Sequence, residues 1–173
     1  GAERELLSMM AYEPMVLLTV IGFYMYTGSF NVRDIMAGES MSFLPMIGLF
    51  IGWIFILTLK FRKSPFDLSM SHHANQELVR GLTTELVGRT MSWIGIPHWY
   101  ENVFLLGFVF LFFANGTAWG WIIGIVVAIL AYFFEVFIDN CFARMKWQFA
   151  FKSAWIVGIV LGIVNLFVLY LCF

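Results

Sequence analysis

Five apolar stretches, each about as long as a membrane is thick, leave this chain little choice of fold. They run roughly from Leu6 to Tyr26, Met41 to Leu59, Met91 to Phe113, Trp119 to Ile138 and Ser153 to Phe173. A helix needs ~20 largely apolar residues to cross the ~30 Å hydrocarbon core. None of the runs alternates with period two, which argues against a transmembrane β-barrel. The expected fold is all-α: a polytopic transmembrane helix bundle of about five spans, one membrane domain over residues 1–173. Composition agrees, with 61% of residues hydrophobic and 12% charged, where soluble domains carry about 25% charged residues.

The basic residues are sorted by side. With five spans, Arg4, Lys60, Arg62, Lys63, Arg80, Arg89, Arg144, Lys146 and Lys152 fall on one face of the membrane and Arg33 alone on the other. Loops rich in Lys and Arg stay in the cytoplasm. The start of the chain and the loops 60–90 and 139–152 are therefore expected inside, and the C-terminus outside. Topology accounts for these cations, so nucleic-acid binding is not expected. Cys141 and Cys172 form no CxxC pattern; they predict ordinary packing rather than a disulfide, zinc or iron–sulfur site. The chain opens on Gly1 with no signal-peptide pattern, as expected of a fragment.

Within the runs, Gly48–Gly52, Gly120–Gly124 and Gly158–Gly162 are small-xxx-small steps that let neighbouring helices approach closely. The seven tryptophans mostly fall near predicted span ends, as interfacial anchors do.

The polar residues that remain are concentrated. Lys60 to Glu101 holds all three histidines, His72, His73 and His98. If the segment from about Asn75 is helical, Glu77, Gly81, Glu85 and Arg89 recur every four residues and line one stripe. Two readings of Glu85 stand: a solvated pair with Arg89, or a carboxylate partly withdrawn from water and able to exchange protons near neutral pH. Glu13 sits inside the first apolar run, beside Pro14. An acid there costs ~2.5 kcal/mol or more unless paired or hydrated.

His98 and Glu101 are three residues apart in the third run and share a helix face. They read either as a proton-relay element or as an interfacial polar cluster anchored by Trp99 and Tyr100. Glu135 and Asp139 are spaced i, i+4 at the end of the fourth run, with Asp139 at the surface and Glu135 inside. His72 and His73 are adjacent, and neighbouring side chains on a helix diverge, so a metal site is not expected.

Longer motifs add a family. KSPFDL, QELVRGLTTELVGRTM and GAERELLSMMAYEP, with the later DNCFARMKWQFAFKSAW, resemble in form the characteristic segments of the complex I subunit 1 (H) family. That resemblance implies a subunit of about eight spans, of which the first two are absent here. It implies that Glu13, Asp67, Glu77 and Glu85 belong to an acidic path from the redox module toward ion-pumping subunits. His98 falls where complex I has another glutamate, and SHHANQE and PHWYENVF are closer in form to Ech-type energy-converting nickel–iron hydrogenases.

The implied function is a membrane anchor and ion-path subunit in a prokaryotic cell membrane. Its proton path would comprise Glu13, Glu77, Glu85, His98, Glu101 and Glu135, and its redox-module interface Asp67, His72, His73, Arg80 and Arg89. Hydrogenase large and small subunits and a ferredoxin-like subunit would sit at the cytoplasmic side, with an antiporter-like subunit in the membrane. The nickel–iron centre and iron–sulfur clusters would lie on those partners, with no cofactor in this chain. A quinone-reducing complex I, a stand-alone channel or transporter, and a purely structural anchor are the alternatives.

Overall fold

The structure, a computed structural model, describes residues 2–38, 42–61, 88–143 and 145–172. Every regular element among them is helical: α1 (Ala2–Thr27), α2 (Val32–Met36), α3 (Ile47–Lys60), α4 (Arg89–Phe113), α5 (Ala118–Cys141), α6 (Trp147–Val157), a π-helical segment (Gly158–Ile163) and α7 (Val164–Cys172). The last three form one rod. Arg89–Phe113, Ala118–Cys141 and Gln148–Cys172 are long and apolar enough to cross a membrane. The other two runs differ in kind. α1 has 26 residues but carries Glu13 and Pro14, and α3 has 14, about 21 Å at 1.5 Å per residue.

The core lies where α1, α3, α4 and the last rod meet. Met15, Leu49, Trp53, Ile56, Leu57, Val109, Phe112 and Leu169 are fully buried there. Phe112 packs on Phe23 and Phe50 with ring centroids 4.9 and 5.3 Å apart, and Phe43 stacks on Phe113 at 4.7 Å. α5 is more peripheral: it pairs with α4 and buries only Gly120, Gly124, Ala131 and Glu135.

The glycine steps do what small residues do in a bundle. A Cβ at Gly52 would run into Met15 Cε on α1, one at Gly48 would lie 3.0 Å from Asn165 Cβ on α7, and one at Gly162 would lie 2.5 Å from Leu18 Cδ1. Gly120 is tightest of all. A Cβ there would overlap Asn115 Oδ1, the oxygen that accepts from both Thr117 N and Thr117 Oγ1. Thr117 in turn caps α5 by accepting from Gly120 N. Gly120→Ala is therefore expected to cost about 1–3 kcal/mol by overpacking, read as a lower thermal midpoint of the detergent-solubilised protein. Gly162→Ala, which displaces only the tip of a leucine, is expected to cost less.

Several expectations are corrected. The polar loop 139–152 is mostly helical: α5 runs on to Cys141 and α6 begins at Trp147, since the first turn of a helix tolerates polar residues as readily as a loop does. A short helix that the apolar runs do not announce, α2, follows α1, capped by the Asn31 side chain accepting from Arg33 N at 3.2 Å. Cys141 and Cys172 are exposed, not packed. Trp53 is no interfacial anchor. It is wholly buried, and its indole N–H donates to the Leu105 carbonyl on α4 at 3.3 Å. Trp93, Trp99 and Trp119 are largely exposed, as anchors would be.

The helices alternate in direction, so the connections sort to two ends. Arg33 lies at the end where Gly116 N donates to Gly38 O at 3.0 Å. Lys60, Arg89 and Lys146 lie at the end of α3, the start of α4 and the start of α6 respectively, that is, at the other end.

Candidate functional site

At that other end three helices converge on one polar cluster. Lys60 is the last residue of α3, where a cation also complements the helix dipole. Its ammonium donates to Glu101 Oε1 on α4. It also lies over the Tyr12 ring of α1, 4.4 Å from the centroid, a cation–π distance. One turn before Glu101, His98 Nδ1 stands 3.6 Å from Glu101 Oε2, close for electrostatics but longer than a hydrogen bond. Each carboxylate oxygen of Glu101 thus faces a different nitrogen.

Pro97, inside α4, has no N–H to give to the carbonyl of Trp93 and interrupts the helix ladder just before His98. The cluster is partly screened from solvent, with side-chain exposures of 15% for Lys60, 35% for Glu101 and 37% for His98.

A fifth polar group lies at the same depth. Phe110 packs against Gly124 across the α4–α5 hairpin. Counting away from that contact along two antiparallel helices brings Glu135 level with His98 and Glu101. Phe61 and Tyr132, with centroids 6.3 Å apart, tie the end of α3 to the same level of α5. Glu135 is 1% exposed, so it is inside, as its spacing predicted, while Asp139 one turn on is half-buried.

The remaining sequence-derived candidates scatter. Glu13 is exposed, on the α1 stripe with Leu6, Met10 and Leu17, and does not face the cluster as its neighbour Tyr12 does. Arg89 is exposed at the start of α4. Asp67, His72, His73, Glu77, Arg80 and Glu85 lie outside the described residues. Among the described residues, no group of three or more His, Cys, Asp or Glu side chains is placed to hold a metal.

Sequence reasoning missed Lys60 and Tyr12. Topology alone accounts for Lys60 as one of many cytoplasmic cations, which hides its second role. The available signal was Glu101: an acid inside an apolar run needs a counter-charge, and a lysine ends the preceding run.

The sequence profile of the family described as NADH dehydrogenase matches residues 1–170. The chain belongs to that family. Among its relatives, the H-type subunit of the NADH-quinone oxidoreductase of Bacillus cytotoxicus is 28% identical over 185 residues, covering 96% of this chain and 52% of that protein. The corresponding subunit of Pelagibacter ubique is 33% identical over 110 residues, 61% of this chain and 31% of that one. The chain thus spans about half the length of the first of these relatives.

The fold is also that of a chain in the membrane-bound sulfane sulfur reductase, an archaeal respiratory membrane complex. The TM-score is 0.73 at 23% identity, covering 95% of this chain and 59% of that one. Family and apolar helices together make this a multi-pass membrane protein.

Proposed function

We propose that this chain is the membrane anchor and ion-path subunit of an Ech-type energy-converting nickel–iron hydrogenase. In that role it couples ferredoxin-linked proton reduction, or hydrogen oxidation, on partner subunits to proton or sodium translocation. The observation that carries the reading is the cluster of Lys60, His98 and Glu101 at one end of a largely apolar bundle. Ionisable groups within membrane-spanning helices, as His98 and Glu101 are in α4, are expensive and mark ion or proton pathways. Membership of the family supports a place in a multi-subunit respiratory membrane complex, and so does the fold shared with a respiratory reductase. His98, in place of the glutamate of quinone-reducing enzymes, supports the hydrogenase branch.

On motif form the proposed path takes in Glu13, Glu77 and Glu85 beside His98, Glu101 and Glu135, with Glu13 on a different face of α1 from Tyr12. Asp67, His72, His73, Arg80 and Arg89 form the docking face for the large, small and ferredoxin-like hydrogenase subunits, which carry the metal centres. The end of the bundle that holds Lys60 is cytoplasmic in this reading, and an antiporter-like subunit lies alongside in the membrane.

A second reading, the corresponding subunit of a quinone-reducing complex, is favoured by the relatives, which are H-type subunits of NADH-quinone oxidoreductases. Purification of the intact membrane complex through a tag on this chain separates the two. The expected result is a co-purifying nickel–iron large subunit and hydrogen evolution from reduced ferredoxin. Electron transfer sensitive to quinone-site inhibitors, without hydrogen evolution, would overturn the hydrogenase assignment.

A further inference from the structure

We infer that Lys60 is a positioning residue that gates the His98–Glu101 pair: a tethered cation that neutralises Glu101 until a proton arrives and is then held by the Tyr12 ring. The inference rests on the ion-path reading and deepens it.

The geometry gives Lys60 two supports at once. Its ammonium is paired with Glu101 and lies 4.4 Å from the Tyr12 ring centroid. The two supports answer differently to proton transfer. When His98 is protonated, the Nδ1–H bond can break and an O–H bond form on Glu101 Oε2, 3.6 Å away, closed by a side-chain rotation. The imidazole becomes neutral and so does the carboxyl. Lys60 keeps its charge but loses its anion, and an ammonium stranded in a partly screened site is costly. The aromatic face is unchanged by the transfer and retains it. Loss of the proton from Glu101 restores the anion and draws Lys60 back, which resets the pair.

The arrangement ties three helices to one titration, because Tyr12, Lys60 and Glu101 lie on α1, α3 and α4. On its own helix the pair has no other charged residue within a turn. From α3 it is faced by Lys60 and from α1 by Tyr12, and α5 places Glu135 at the same depth.

The test uses the intact membrane complex in vesicles. Lys60→Met, Lys60→Arg, Tyr12→Phe, Tyr12→Leu and Glu101→Gln are compared by ions translocated per electron across about pH 5 to 8, the range over which an ordinary histidine changes charge. Lys60→Met is expected to lower the ratio about tenfold, less than the ~10²–10⁴-fold that a group carrying the proton itself contributes. Its pH profile should differ from the parent's, since the ammonium that pairs with Glu101 is gone. Lys60→Arg should restore both ratio and profile. Tyr12→Phe keeps the aromatic face and should behave as the parent, while Tyr12→Leu should follow Lys60→Met.

A Lys60→Met complex with the parent ratio and pH profile, beside an uncoupled Glu101→Gln, would overturn the gate and leave the ion path standing. If Glu101→Gln also pumps as the parent does, the ion-path reading falls and the gate with it. Should Lys60→Met fail to assemble, the Tyr12→Phe and Tyr12→Leu pair decides: equal ratios in the two refute the gate.

Discussion

Replacing Glu101 by glutamine should leave an assembled complex that translocates few ions for each electron it passes. The side chain keeps its size and an oxygen able to accept from Lys60, which Glu101 does through Oε1. What is lost is the capacity to carry charge and to take a proton opposite His98 Nδ1, 3.6 Å from Oε2. A positioned proton acceptor contributes ~10²–10⁴-fold to the step it serves, so a fall of at least about tenfold in the translocation ratio is the expected minimum. Glu101→Asp retains the carboxyl but withdraws it by one methylene, and should fall between the two. The measurement is ion uptake into vesicles against electron flux in the same preparation. Unchanged coupling in Glu101→Gln would reduce the cluster to a structural tie between α1, α3 and α4.

The largest effect on stability should come from Trp53→Ala. Trp53 is 0% exposed, packs at a tilt against Phe108 with centroids 4.8 Å apart, and reaches α4 through its indole N–H. Truncation empties the contact between α3 and α4 beneath the polar cluster, and large-to-small changes of this kind cost about 3–5 kcal/mol. Trp53→Phe refills much of the space and gives up mainly the hydrogen bond, a loss of about 0.5–1.5 kcal/mol. Thermal unfolding of the solubilised protein should rank parent, Trp53→Phe and Trp53→Ala in that order. If Trp53→Ala melts with the parent, the α3–α4 contact is not what holds the bundle.

What the sequence made legible is what depends on near neighbours. Apolar runs gave the helices because hydropathy is a local sum. Glycine steps gave the close approaches because spacing of four is local too. His98 and Glu101 were visible as a pair because one helical turn separates them.

The Lys60–Glu101 bond spans 41 positions, and no periodicity reports it. Trp53 misleads for a related reason: tryptophan is at home both at an interface and in a core, and only the arrival of α4 decides which. The ends of α5 and α6 reach further than hydropathy suggests because polar residues terminate an apolar run before they terminate a helix. The short helix α2 has no apolar run behind it and depends on the Asn31 cap.

The last rod repeats small buried residues at fixed steps of four: Ala150, Ala154, Gly158 and Gly162. A regular α-helix turns ~100° per residue, so steps of four drift around its axis, and the stripe would wander away from α1. The π-helical segment Gly158–Ile163 accommodates one surplus residue in a widened turn and so brings the stripe back into phase. Everything beyond it is thereby rotated as a block. Asn165, 8% exposed and donating to the Pro45 carbonyl at 3.3 Å, owes its inward direction to that offset. Wind the same residues as a regular α-helix and the outer half of the rod would screw round by about a quarter turn, turning an amide out toward lipid. Deletion of the surplus residue would instead close the widened turn and leave the outer half in phase. The rod therefore tolerates loss of one residue here better than a further insertion, at a place where its sequence is merely glycine and aliphatic, and how the backbone winds there carries information that side-chain identity does not.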